Sequence, residues 1–282
     1  MEILVNREPL DFSLENESSL GEVVDGLASL LYSGQFAITS LDVNDTTYAI
    51  HDRDSWEAIE IDEVTRLSVE ALPMTDVDHA ALIAVDEYCA LLGECLETSR
   101  TDALPDVVTE LPYVRARLGR FFPSLVEEDG SVAILRNPKL EAGELPSDRE
   151  RTELLAEIAR VRAIVRSREH EYRAPERELA LSLGQLAGSS ERLIEVPVQL
   201  QTGKQGAAMQ TIVALTELLG KVIRVLPLVE RTEAESAIDL DGVKRFAEEV
   251  APFLTELKDA FEIQDTVLLG DLLEYEIAPR LE

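Results

Sequence analysis

Residues 67–96 read LSVEALPMTDVDHAALIAVDEYCALLGECL, and the hydrophobic period changes within this stretch. Leu67, Val69 and Ala71 occur at every second position, the pattern of a strand with one buried face. Beyond Pro73 the apolar positions Leu82, Val85, Cys89, Leu92 and Leu96 recur at spacings of 3, 4, 3 and 4, the seam of a long helix packed side by side with others. The chain is therefore expected to be α+β up to Pro73 and all-α beyond it, with residues 1–73 forming a small module and residues 74–282 a helical bundle.

Working toward the N-terminus, Glu2 to Val5 and Leu10 to Leu14 are short apolar or alternating runs joined by Asn6-Arg7-Glu8-Pro9, which predicts a hairpin whose second strand lies at Leu10–Leu14. A helix follows. Ser19 and Glu22 stand at capping-box spacing, Val23, Leu27, Leu30 and Leu31 form the expected buried face, and Gly34 ends the helix. Strands are expected over Ile38 to Val43 and Thr46 to Ile50, divided by Asn44-Asp45. The order strand, strand, helix, strand, strand, closed by the alternation at Leu67 to Ala71, resembles the β-grasp architecture of ubiquitin-like domains over the first quarter of the chain. Ubiquitin-like carriers act through a free C-terminal Gly-Gly, whereas here Glu70-Ala71-Leu72-Pro73 continues into another segment. The resemblance thus implies a binding or packing module, without conjugation or sulfur-carrier chemistry.

Toward the C-terminus the seam repeats. Val107, Leu111, Val114, Leu118, Phe121 and Leu125 form one stripe, and Leu154, Ile158, Val161 and Val165 another. Further stripes run from Leu179 to Leu193, from Ile212 to Val229 and from Val243 to Ala260. Six or seven long helices are expected. Pro112, Pro123, Pro227, Pro252 and Pro279 fall inside or at the ends of these stripes and should bend the helices in part. Pro175 suits a first helical turn and Asp239 a cap. Residues 127–147 form the longest irregular stretch. Val196 to Thr202 reads as a connection between two helices, with Thr202 capping the second.

The chain carries 26 Lys+Arg against 56 Asp+Glu, a net charge of −30, with 45% hydrophobic residues. This composition is too apolar for a disordered acidic tail, and the negative field opposes nucleic acid and anionic membranes. No apolar run is long enough to span a membrane and the first residues lack the features of a secretory signal, so a cytoplasmic location is expected. The acidity is read first as a device for solubility. One segment departs from it: residues 149–177 hold 8 arginines and 6 acids, whereas residues 1–72 hold 16 acids and 3 bases. Arg160, Arg162, Arg166 and Arg168 are accordingly a candidate interaction surface for an acidic partner or for the small module.

Chemical motifs are sparse. Gly203-Lys204-Gln205 lacks the upstream glycine and the Ser or Thr of a phosphate loop. Cys89 and Cys95 have neither zinc nor redox spacing and are expected as core thiols. His51, His79 and His170 have no second ligand at helical spacing, and Asp271 with Glu274 is one carboxylate pair among many. No catalytic residue, metal or cofactor is expected. The leading expectation is a non-catalytic interaction or scaffolding protein with a protein partner or self-association. The alternatives are a ligand-binding or enzymatic bundle with its site between proline-bearing helices, and a secretion or motility chaperone that captures client segments.

Overall fold

The computed structural model describes residues 1–12, 17–126, 136–231 and 237–281. It divides into two compact units, Met1–Val165 and Arg166–Glu282. The first unit opens with β1 (Glu2–Val5), β2 (Glu8–Pro9), α1 (Leu20–Ser33), β3 (Phe36–Val43), β4 (Thr46–Tyr48) and β5 (Arg66–Pro73). These strands make a mixed, β-grasp-like sheet in the order β2-β1-β5-β3-β4. β1 and β5 pair in parallel, and the other neighbours are antiparallel.

Local chemistry explains most of this module. The Ser19 hydroxyl accepts the Glu22 N–H while the Glu22 carboxylate accepts the N–H of Ser19, so both halves of the expected capping box form. The helix buries Leu20, Val23, Val24 and Leu27 against Ile3, Leu41, Val43, Leu67 and Val69. Leu30, expected on that face, is exposed, because the stripe 20-23-24-27 continues to the half-buried Leu31. The helix ends at Ser33 with Gly34 as its cap, as expected. Gly34 keeps a negative φ and Gln35 takes the left-handed conformation at φ +64°.

Both hairpins turn on two residues with positive φ, Asn6-Arg7 and Asn44-Asp45, the conformation whose twist matches paired strands. The first turn sets Glu8 opposite Val5 and Pro9 opposite Leu4. β2 is therefore displaced from the expected Leu10–Leu14: turn geometry sets the register, and the Leu10 N–H completes the pairing at the Ile3 carbonyl. Ser13 and Leu14 lie outside the described residues. Each turn asparagine also reaches β5. Asn6 accepts the Ala71 N–H at 2.8 Å and donates to its carbonyl at 3.0 Å. Asn44 accepts from the Thr65 N–H, the Thr65 hydroxyl and the Arg66 N–H, and donates to the Glu63 carbonyl at 2.8 Å. The lone tryptophan, Trp56, is 2% exposed in this core, and its indole N–H donates to the Ala49 carbonyl.

Pro73 ends β5 and caps α2 (Met74–Glu97), so strand passes to helix without a spacer. α3 (Leu104–Thr109), α4 (Leu111–Phe121), α5 (Pro123–Val126) and α6 (Pro138–Glu141) follow. α7 (Asp148–Arg173) contributes its first part to this unit. The seam 107–125 is cut into three helices, α3, α4 and α5. Pro112 and Pro123 begin new helices instead of bending one, since a proline in the first turn lacks only an N–H with no helical partner. Leu82, Val85, Cys89, Leu92 and Leu96 are buried as their spacing predicts. Within the expected irregular stretch, α6 forms at residues 138–141 with Asn137 as its cap, while residues 127–135 lie outside the described residues.

The second unit contains α8 (Pro175–Ala187), α9 (Ser190–Gln201), α10 (Gln205–Glu230), α11 (Leu240–Glu262) and α12 (Thr266–Asp271). A π turn (Leu272–Ile277) and a 3-10 turn (Ala278–Leu281) complete it. Among the described residues, seven helices after β5 are of 11 residues or more, in line with the six or seven read from the seams. Pro227 and Pro252 do lie inside helices. So does Pro197: residues 196–201 belong to α9, and Thr202 closes that helix instead of capping the next. The proline ring has a packing partner there, since a Cβ placed on Gly270 would lie 3.1 Å from the Pro197 Cβ. No helix among the described residues is long and apolar enough to cross a membrane.

Because Trp56 alone reports on the sheet module, its fluorescence during denaturation reads that module selectively. Asn44→Ala is expected to lower the stability of this transition by about 1–2 kcal/mol, through the loss of its hydrogen bonds at a positive φ. Gln35→Gly is expected to raise it by about 0.5–1 kcal/mol, the left-handed penalty less the added chain entropy of glycine.

Candidate functional site

In the second unit, α8, the start of α11 and the terminal 3-10 turn enclose a groove of about 380 Å³. Leu183, Leu186 and Ala187 form one wall, Ile238, Val243 and Phe246 the facing one, and Arg280 with Leu281 closes the end. The wall from α11 is positioned by its cap: the Asp239 carboxylate accepts the Gly242 N–H at 3.0 Å. At position 242 a Cβ would come within 2.5 Å of the Asp239 carboxylate, so a larger residue would push the cap aside. Arg280 is held equally firmly. Its guanidinium donates to the Glu276 carboxylate at 3.1 Å and lies 4.4 Å from the centre of the Phe253 ring, a cation–π contact of about 0.5–2 kcal/mol.

The two charged residues in the groove wall are thus engaged with their own neighbours, and the rest of the surface is aliphatic and aromatic. Such a lining removes apolar side chains from water. Among the described residues, no group of three or more His, Cys, Asp or Glu is placed to hold a metal ion. Cys89 and Cys95 are free and buried, as expected of core thiols. Burial pushes the Cys89 thiol up to about 12, assisted by the nearby Asp86 carboxylate.

The four arginines singled out by the sequence have separate environments along α7. Arg160 is exposed, 3.9 Å from Glu157. Arg162 is half-buried in the first unit and grips Asp86 of α2 with two hydrogen bonds, at 2.9 and 3.4 Å. Arg166 is exposed at the start of the second unit. Arg168 is half-buried, 3.3 Å from the carboxylate of Glu171, which is only 4% exposed and also accepts two bonds from Arg224 of α10. Burial, together with the second guanidinium, lowers the Arg168 pKa against the raising effect of Glu171. Lys221 of α10 similarly donates to Glu178 of α8 at 2.6 Å.

Sequence reasoning did not find the groove or the Arg168–Glu171–Arg224 cluster. A trace of the cluster exists: the apolar stripe of α7 stops at Val165, and the next positions of the repeat hold Arg168 and Tyr172. The division between the two units falls at the same point, after Val165. The groove has no comparable signal, since its walls come from segments far apart in the chain.

Two family profiles match the chain. Residues 1–73 match a family described as the TP0873 N-terminal domain, and residues 183–282 match a domain of unknown function, DUF8042. The first match ends with β5, and the second includes all the groove-lining residues. No curated protein and no solved structure matches the chain.

The burial of both cysteines has a direct chemical consequence. Titration with a thiol reagent at pH 8 is expected to detect no reactive thiol in the native protein and two after denaturation.

Proposed function

We propose that this chain is a non-catalytic, cytoplasmic protein-interaction protein, and that the groove between α8 and α11 receives the apolar face of a partner segment. The observation that carries the reading is the lining of the groove: Leu183, Leu186, Val243 and Phe246 face a space of about 380 Å³, while Asp239 and Arg280 are tied to Gly242 and Glu276. A groove whose charges are already engaged favours ligands that bring apolar surface, and an amphipathic helix brings it in the right form. The same groove supports a chaperone-like role in which the segment belongs to a client protein. A scaffold would retain its partner, whereas a chaperone would release it.

The ligand-binding or enzymatic alternative places a site among the proline-bearing helices. A thermal-shift screen against metals, nucleotides and common metabolites addresses it, and a dose-dependent stabilisation by any of these would displace the interaction reading. For the interaction reading, the full chain should retain a protein at fixed stoichiometry, or self-associate by light scattering. Phe246→Glu should weaken that association by about tenfold or more, as expected for removal of a central apolar contact. A strict monomer that retains no protein would count decisively against it.

A further inference from the structure

A second surface lies away from the groove walls, at the corner between α11 and α12. All eight residues from Phe261 to Leu268 are exposed, and four of them are large and apolar. Ile263 is 71% and Val267 66% exposed, with Phe261 at 49% and Leu268 at 38%. The corner is held in shape from both sides. The Asp265 N–H closes α11 at the Ala260 carbonyl, 2.9 Å away, and the Asp265 carboxylate caps α12 by accepting the Val267 and Leu268 N–H groups at 3.1 and 3.0 Å. Beneath it, Leu257, Ala260 and Leu269 are buried. The apolar side chains are therefore presented on a fixed support, and neighbouring exposed apolar side chains are the kind of patch that marks a contact surface.

Along the chain, the charges that flank the patch are predominantly negative. Glu256, Asp259, Glu262, Asp265 and Asp271 are exposed about it, and the single base between residues 256 and 271, Lys258, lies 3.6 Å from Glu262. α11 has no basic residue in its last turn, so the negative end of its dipole adds to the same field. We propose that this corner is a docking surface for a basic amphipathic segment of a partner protein, whose apolar face covers Ile263 and Val267 and whose Lys or Arg side chains meet the carboxylates. A second copy of the chain would bring the same carboxylates against their own kind, and an anionic lipid or nucleic acid would be repelled.

The test uses the full chain and a fluorescent 18-residue synthetic helix of leucine and lysine, with a leucine and glutamate helix of the same pattern as control. The lysine helix is expected to bind, with an affinity that falls as salt rises. Ile263→Ser with Val267→Ser should weaken binding about tenfold, whereas Val213→Ser with Ile223→Ser, at exposed positions of α10, should leave it within about twofold. Equal binding of the two helices, or an undiminished affinity in the Ile263/Val267 variant, would overturn the proposal. So would a concentration-dependent dimer, seen by light scattering, that this variant abolishes. The Phe246→Glu variant separates the two surfaces: loss of the lysine helix in that variant alone assigns binding to the groove and also overturns the corner.

Discussion

The first unit depends on β5. It lies between a parallel neighbour, β1, and an antiparallel one, β3, and its inward residues Leu67, Val69 and Ala71 are at most 2% exposed. Two asparagines in left-handed turns hold it, Asn44 where the strand begins and Asn6 at Ala71. Asparagine serves this purpose well because its side chain offers a donor and an acceptor and tolerates positive φ. Since Pro73 is both the last residue of the strand and the cap of α2, with the Met74 N–H bonded to the Gln35 carbonyl, the register of the sheet sets where the first long helix starts. Sheet and helix are one continuous piece of backbone with no spacer between them.

Electrostatics divides the labour differently from the way composition suggests. A net charge of −30 invites attention to the few basic groups as binding elements. Several of them are instead used inside the protein: Arg162 joins α7 to α2, Arg224 joins α10 to the buried Glu171, and Lys221 joins α10 to α8. Half-buried pairs of this kind lose much of their Coulomb attraction to desolvation, so their net contribution to stability is small. The excess of acids over bases, 56 against 26, leaves the surface negative in sum.

Several elements were legible in the sequence because the forces behind them act over a few residues. The Ser19–Glu22 capping box, Pro175 in a first turn, the Asp239 cap and the seam of α2 all formed where their patterns stand. Misreadings arose where two local signals competed. Alternation at Leu10–Leu14 argued for a strand, but the Asn6-Arg7 turn paired Glu8 and Pro9 first. Val196 to Thr202 looked like a connection between two helices, yet α9 runs through Pro197, with the ring packed against Gly270. The groove could not be read in advance, because Leu183, Phe246 and Leu281 belong to three separate segments.

The sequence by itself determined the change from sheet to helices at Pro73, the buried seam of α2 and the excess of negative charge, because periodicity, capping and composition are properties of neighbouring residues. Only the tertiary structure decided which charges pair and which apolar side chains stay uncovered. Glu171 and Arg224 are 53 positions apart, and the break in the α7 stripe beside Glu171 does not say which residue will meet it. Burial of a residue is set by the element that packs over it, and for Ile263 and Val267 the described chain provides no such element.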